Sequence, residues 1–312
     1  MESTLPPLRL KIGTRGSPLA LAQAVETRAL LMKAWDWPEE AFEVVVIQTS
    51  GDRIQDRPLR LVGGKGLFTR EIEEQLLDGS IDIAVHSMKD MPTVQPDGLV
   101  LDIYLPREDV RDAFVSTGSV SIADLARGAR VGTSSLRRRA QLMHVRPDLD
   151  VVEFRGNVQT RLKKLADGVA SCTFLAMAGL NRLNMVHVAT GAIEPEDMLP
   201  AVAQGAIGIE RRLEDHSTAV ILEPLHDTKT GQRVAAERAF LATLDGSCET
   251  PIAALAVIEG SELLLRGEVL RPDGSEKLSG HRRGPIVDGV AMGHDLAKEL
   301  LSQAGSEFFS WR

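Results

Sequence analysis

Four times along the chain a short run of β-type residues breaks off at a small polar residue beside a charge, and a helical pattern follows. LRLKIGT (8–14) gives way to Arg15-Gly16-Ser17-Pro18, and IDIAVH (81–86) to Ser87-Met88-Lys89-Asp90. ARVG (129–132) leads into Thr133-Ser134-Ser135 and Arg137-Arg138, and VVEF (151–154) into Arg155-Gly156-Asn157. Strands that alternate with helical patterns build sheets covered by helices, so the class is α/β. IDIAVH is nearly all apolar, as a central parallel strand buried on both faces should be. In open sheets of this kind ligands bind beyond the carboxyl ends of the strands. The charged breaks are therefore the candidate site.

At 312 residues the chain is too long for one ordinary core. After a helix over 19–34, a strand at 42–49, a helix in LFTREIEEQLLDG and a strand at 99–105, the segment Pro106-Arg107-Glu108-Asp109 marks a crossing into a second unit. That unit carries AFVST, ARVGT, VVEF and CTFLAM, and closes near Met198-Leu199-Pro200. GAIGIE (205–210) is too isolated to be a domain, so the chain is expected to return and complete the first sheet. The last segment has a helix over 233–244, strands IAALAV and ELLLRGEV, a turn at Pro272-Asp273-Gly274, another strand and a final helix. The expected division is domain 1 at 1–105 with 200–222, domain 2 at 106–199, and domain 3, an α+β unit, at 223–312.

The formal net charge is −8, yet Gly132 to Arg161 holds six arginines against Asp148, Asp150 and Glu153. Leu136, Ala140 and Met143 fall at helical spacing and read as the buried stripe, which puts Arg137 and Arg138 in the first turn. The helix macrodipole opposes cations there. They make sense where an anion shares the site with the N–H groups and guanidinium forks. The alternative is a solvated basic helix face, which the strand-end placement disfavours. With Arg15, Lys89, Arg155, Arg161 and Arg182, the cations outnumber what one phosphate or small acid needs, so the ligand should carry many carboxylates or phosphates. Asp90 is the lone acid among them. It reads either as a structural salt bridge or as a carboxylate aimed at a developing positive charge. Lys89 reads as an anion partner rather than a Schiff-base amine.

Several classes are disfavoured. Aromatic residues are 4% of the chain, too few for broad base-stacking platforms, and the acidic balance argues against general nucleic-acid binding. The N-terminus shows no signal pattern and no apolar run suffices to span a bilayer, so a cytosolic location is expected. Cys172 and Cys248 form no CxxC and the seven histidines no HExxH, so neither a disulfide framework nor a metal is expected. Gly63-Gly64-Lys65-Gly66 lacks the spacing and the Ser or Thr of a phosphate loop. Cys172 lies in an apolar strand and reads as a buried hydrophobe. Cys248, in the turn LDGSC (244–248), reads as a thiol able to carry an attachment.

TRGSPLALAQ (14–23), VGGKGLFTREIE (62–73), DIAVHSMKDMP (82–92), REDVRDAFVS (107–116), VGTSSLRRRAQL (131–142), RGNVQTRL (155–162), AGLNRL (178–183), PAVAQGAIGIE (200–210) and LDGSC together resemble the porphobilinogen deaminase (hydroxymethylbilane synthase) family. The resemblance implies two domains similar to periplasmic binding proteins, a central cleft between them, and a smaller third domain. It implies a dipyrromethane cofactor held by a thioether at Cys248. It also implies an enzyme that deaminates porphobilinogen, adds four units in sequence and hydrolyses off hydroxymethylbilane. By this likeness Lys89, Thr133, Ser134, Ser135, Arg137, Arg138 and Arg161 hold cofactor carboxylates. Arg15, Ser17, Arg155, Arg182 and Gln204 hold the incoming unit, Asp90 takes pyrrole N–H groups and steadies the cationic intermediate, and Lys65 belongs to a lid. A small-molecule substrate is implied; nothing in the sequence demands more than a monomer, and its composition leads us to expect neither a nucleic-acid nor a membrane partner. The chain departs from the family's usual pattern in having Ser247 before the cysteine, and Ser171 and Cys172 in place of an acidic and a small residue. The rival reading is a two-domain binding protein for a polycarboxylate or polyphosphate, which would have no use for LDGSC.

Overall fold

The computed structural model describes residues 9–53, 67–244, 250–305 and 307–311. Lys65 with its glycine loop, and Ser247 and Cys248 of the LDGSC turn, lie outside the described residues.

The chain opens with strand β1 (Leu10–Arg15), helix α1 (Pro18–Trp35) and strand β2 (Phe42–Ile47). Ser17 starts α1 where the sequence indicates. Its Oγ accepts from the Ala20 N–H at 3.2 Å, and Pro18 supplies a first-turn residue that needs no N–H partner. A short turn of helix α2 (Ser50–Arg53), helix α3 (Arg70–Leu77), and strands β3 (Ile83–Ser87) and β4 (Leu99–Tyr104) follow. Next come β5 (Asp112–Ser116), β6 (Arg130–Gly132), α4 (Leu136–Val145), β7 (Asp150–Val152), α5 (Val158–Ala166), β8 (Cys172–Ala176), α6 (Met177–Arg182) and β9 (Gly191–Ile193). The chain then returns with β10 (Ile207–Arg212) and α7 (His216–Leu222). It finishes with α8 (Thr228–Thr243), strands β11 (Ile252–Glu259), β12 (Glu262–Leu270) and β13 (Lys277–Pro285), and α9 (Gly289–Gln303).

These elements form two compact units, one of residues 1–107 with 206–231 and one of 108–205 with 232–312. In the first, the sheet order is β2-β1-β3-β10-β4. β3 is central, but the sheet is not parallel throughout. β1, β2 and β3 run together, whereas β10 pairs antiparallel with both β3 and β4. Ile12, Ile83, Val85, Ile207 and Ile209 pack against Ala24 and Leu31 of α1 on one face. Ala84 meets Ile72 and Leu76 of α3 on the other.

In the second unit the order is β7-β6-β8-β5-β9, with β6 parallel to β7 and β8, and β5 antiparallel to β8. Val131, Leu142, Cys172 and Phe174 fill one side, and Phe154, Leu175 and Leu180 the other. The antiparallel meander β11-β12-β13 lies in this same unit. Buried Glu237 of α8 accepts from the backbone N–H of Ala203 at 2.7 Å and of Ala256 at 2.8 Å. Gly274 (φ +76°) sits so close to α4 that a Cβ would lie 2.8 Å from the Ala140 carbonyl, so glycine is required there. Its own carbonyl lies 2.9 Å from Nδ1 of His144. These bonds tie α8 and the meander to residues of 108–205.

Candidate functional site

In the first unit the carboxyl ends of β1 and β3 open onto a cavity of about 70 Å³ whose lining includes Arg15, Ser17, His86, Ser87 and Asp90. Arg15 ends β1, and its guanidinium carbon stands 4.2 Å over the ring of Phe68. Gln23 of α1 exchanges hydrogen bonds with the Ser87 hydroxyl at 2.8 and 3.1 Å, closing one wall. After β3 a single 3₁₀ turn, Met88–Asp90, buries Met88, half-buries Lys89 and leaves the Asp90 carboxylate exposed. The strand and its abrupt turn thus aim an acid at a cavity that also holds a guanidinium and two hydroxyls.

In the second unit β6, β7 and β8 run parallel, so their carboxyl ends share an edge. Because β5 is antiparallel, its first residue Asp112 lies at that same edge, opposite Ala176. The strand-end turns are stitched together. Thr133 donates its N–H to the Val152 carbonyl at 3.0 Å, and Ser134 Oγ accepts from the Phe154 N–H at 2.8 Å. Ser135 caps α4, accepting from the Arg138 N–H at 3.4 Å.

Helix α4 is rotated relative to the expected stripe. Leu136 and Met143 are only partly buried, while Arg137 and Arg138 are 5% and 4% exposed. The cause is Asp112, itself 0% exposed. Its Oδ2 accepts from Arg137 at 2.7 Å, and its Oδ1 from Arg138 at 2.7 Å and from the Gln204 amide at 2.9 Å. Each arginine also donates to a backbone carbonyl, Arg137 to Leu199 and Arg138 to Phe174. Burial alone would push the Asp112 carboxyl up, but the two guanidiniums outweigh it and hold the group well below the ordinary range. The result is a buried Asp112–Arg137–Arg138 cluster of formal charge +1. The terminal nitrogens of both arginines thus bond Asp112 and a backbone carbonyl, and the Gln204 amide nitrogen is turned to Asp112 and to the Val110 carbonyl at 2.8 Å. Asp112 is the residue that pattern reading missed. Its signal is an acid at the very start of the apolar strand DAFVS.

The remaining cations lie near the same unit's strand ends. Half-buried Arg155 follows β7, and Arg161 on α5 donates Nε to the Gly156 carbonyl at 2.9 Å. Arg182 at the end of α6 reaches the Gly205 carbonyl at 3.3 Å through both terminal nitrogens. The structure therefore brings Arg15, Ser17 and Asp90 together in one unit. It brings Thr133, Ser134, Ser135, Arg137, Arg138 and Gln204 together in the other. Among the described residues no group of three or more metal-ligating side chains occurs. Cys172 is buried, and burial pushes its thiol up to about 12.

Residues 10–220 match the family described as porphobilinogen deaminase, dipyromethane cofactor binding domain, and residues 231–302 match its C-terminal domain. The chain belongs to the porphobilinogen deaminase family. A porphobilinogen deaminase from Paracoccus denitrificans (strain Pd 1222) is 66% identical over 302 residues, covering 97% of this chain and 96% of that protein. Among solved structures, the methionine-binding protein MetQ has a TM-score of 0.44 at 14% identity, over 76% of this chain and 94% of that one. The VFT2 domain of Bordetella pertussis BvgS has a TM-score of 0.42 at 16% identity, over 74% and 92%.

The porphobilinogen deaminase family is an enzyme family with a dipyrromethane cofactor. The residues present suit such a group. The buried Nε atoms of Arg137 and Arg138 have no hydrogen-bond partner among the described residues, so two charged donors remain in the first turn of α4. A cluster of formal charge +1 suits carboxylate arms, and the exposed Asp90 carboxylate suits pyrrole N–H groups.

Proposed function

We propose that this chain deaminates porphobilinogen, joins four units head to tail on a dipyrromethane held at Cys248, and releases hydroxymethylbilane by hydrolysis. Family membership supports the reaction class. The observation that carries the residue assignment is Asp90, an exposed carboxylate sharing a cavity with Arg15 and Ser17. When bound, the dipyrromethane supplies the free pyrrole carbon to which units are added.

The protein's own part is binding and charge placement. Lys89, Thr133, Ser134, Ser135 and Arg161 hold cofactor carboxylates, with Arg137 and Arg138 contributing through Nε and through the net charge of their cluster. Arg15, Ser17, Arg155 and Arg182 hold the acetate and propionate of the incoming unit, where Arg forks match planar carboxylates. Gln204 acts one step back, fixing Asp112. Asp90 accepts pyrrole N–H bonds and opposes the positive charge that develops as ammonia leaves, the kind of preorganised stabilisation worth about 10²–10³-fold in rate. Lys65 serves a lid. We further infer a cytoplasmic monomer that takes this small substrate and engages neither nucleic acid nor membrane. No helix among the described residues is long and apolar enough to cross a membrane.

The test is turnover of porphobilinogen with ammonia and linear tetrapyrrole measured together. Wild type should release both, and Asp90→Ala should lose at least ~10²-fold in rate with an unchanged circular dichroism spectrum. Near-normal rates in that variant would reassign Asp90 to structure.

A further inference from the structure

Behind the Asp90 cavity lies a group of ionisable side chains that the proposed mechanism leaves unused. β3 sends Val85 and Ser87 to the α1 side of its sheet and Ala84 and His86 to the α3 side. On that second side the His86 imidazole, 5% exposed, meets Glu210 of β10, with Nε2 3.0 Å from Oε2. Glu210 is fully buried, and its Oε1 has no partner among the described residues. Glu73 of α3 completes the group. It is buried too, and burial pushes its carboxyl up, with Thr69 and His86 opposing the push and the charges of Glu210 and Glu74 adding to it.

Two carboxyls and an imidazole thus share one buried packet, with the imidazole hydrogen-bonded to one carboxylate and the other carboxyl pushed up by burial. As a stabilising device the packet is poor, because apolar side chains of the same size would serve as well or better. What distinguishes it is position. His86 is among the residues lining the cavity that Arg15 and Asp90 also line.

The reaction, as proposed, has a matching need. The substrate's aminomethyl group is an ammonium. Its C–N bond breaks with the electron pair going to nitrogen, leaving neutral ammonia, and forming the new C–C bond then frees one proton from carbon. Charge balances when that proton reaches the ammonia, which departs as ammonium. Asp90, stabilising a cation, must stay ionised and is poorly suited to keep the proton.

We propose that His86, oriented by Glu210 and backed by Glu73, is the proton relay of the Asp90 cavity, carrying the proton freed at each condensation to the departing ammonia. The proposal rests on the reading of that cavity as the reaction site. The charged groups around the imidazole are Glu73 and Glu210 on its own side, and Arg15 and Asp90 in the cavity.

The test uses the cofactor-loaded enzyme and the double variant His86→Gln/Glu210→Gln, which replaces the pair with two amides able to bond each other. The relay requires a full cofactor mass increment, an unfolding midpoint close to wild type, kcat lower by ~10²-fold or more, and an altered solvent deuterium isotope effect. Full kcat with a wild-type isotope effect overturns it. If the double variant does not load cofactor, Glu73→Gln decides, since it leaves the His86–Glu210 bond in place. Glu73→Gln should lower kcat and alter the solvent deuterium isotope effect with cofactor loading unchanged. An unchanged kcat and isotope effect in that variant refutes the relay. Asp90→Asn is measured alongside. Normal turnover in that variant would remove the cavity as the reaction site, a failure separate from that of the relay.

Discussion

Replacing Asp112 with alanine removes the carboxylate that both buried guanidiniums bond, leaving Arg137 only the weaker attraction of Glu268. Arg137 and Arg138, 5% and 4% exposed, lose bonds of 2.7 Å each, and Gln204 loses one of 2.9 Å. Breaking a buried ion pair by deleting one partner costs about 3–5 kcal/mol, because the remaining charge is neither solvated nor paired. Here two charges are left, so the upper part of that range applies, against a total stability of about 5–15 kcal/mol. For a domain of this size each kcal/mol moves Tm by about 2–4 °C, so a fall of about 10 °C or more is expected. The pH dependence has a definite sign. Asp112 is held below its ordinary value of 3.8, so its stabilisation is complete at neutral pH and persists down to about pH 4. Below that it drains away as the pH falls toward the depressed value. Urea denaturation of wild type and Asp112→Ala should therefore show a constant gap from pH 7 to about pH 5 and a closing gap below pH 4. A difference under about 1 kcal/mol at pH 7, or a gap that widens on acidification, would refute the clamp.

Arg138→Leu should leave a folded protein that assembles little cofactor, seen as a missing mass increment; full loading with full turnover would contradict the role given to Arg138. Cys172 is buried with its thiol pushed up to about 12, so at pH 8 alkylation at this position should be negligible in native protein and complete in urea. Peptide mapping of the labelled site checks this, and rapid native labelling of Cys172 would contradict its burial.

The strand-to-turn breaks were legible because their determinants are local. Ser17-Pro18 must start a helix, and an apolar run ending at Ser87 must turn where Lys89 and Asp90 begin. The burial of α4 was not legible. Leu136 and Met143 look like the inward face, and only a carboxylate 25 positions upstream of Arg137 makes it cheaper to bury the arginines. A pairing at that separation leaves no periodicity to read. The same holds for β10. Its apolar pattern marks a strand, but nothing within it states that it runs antiparallel between β3 and β4. The grouping of the meander with residues 108–205 depends likewise on single contacts, such as Glu237 reaching two backbone N–H groups and Gly274 pressed on α4.

A dipyrromethane held by sulfur at Cys248 adds its own mass to the chain, and intact mass spectrometry reads that increment. The purified enzyme should exceed its polypeptide mass of 33.9 kDa by two linked pyrrole units, and Cys248→Ser should lose the whole increment together with activity. A fully active protein at the bare polypeptide mass would contradict it.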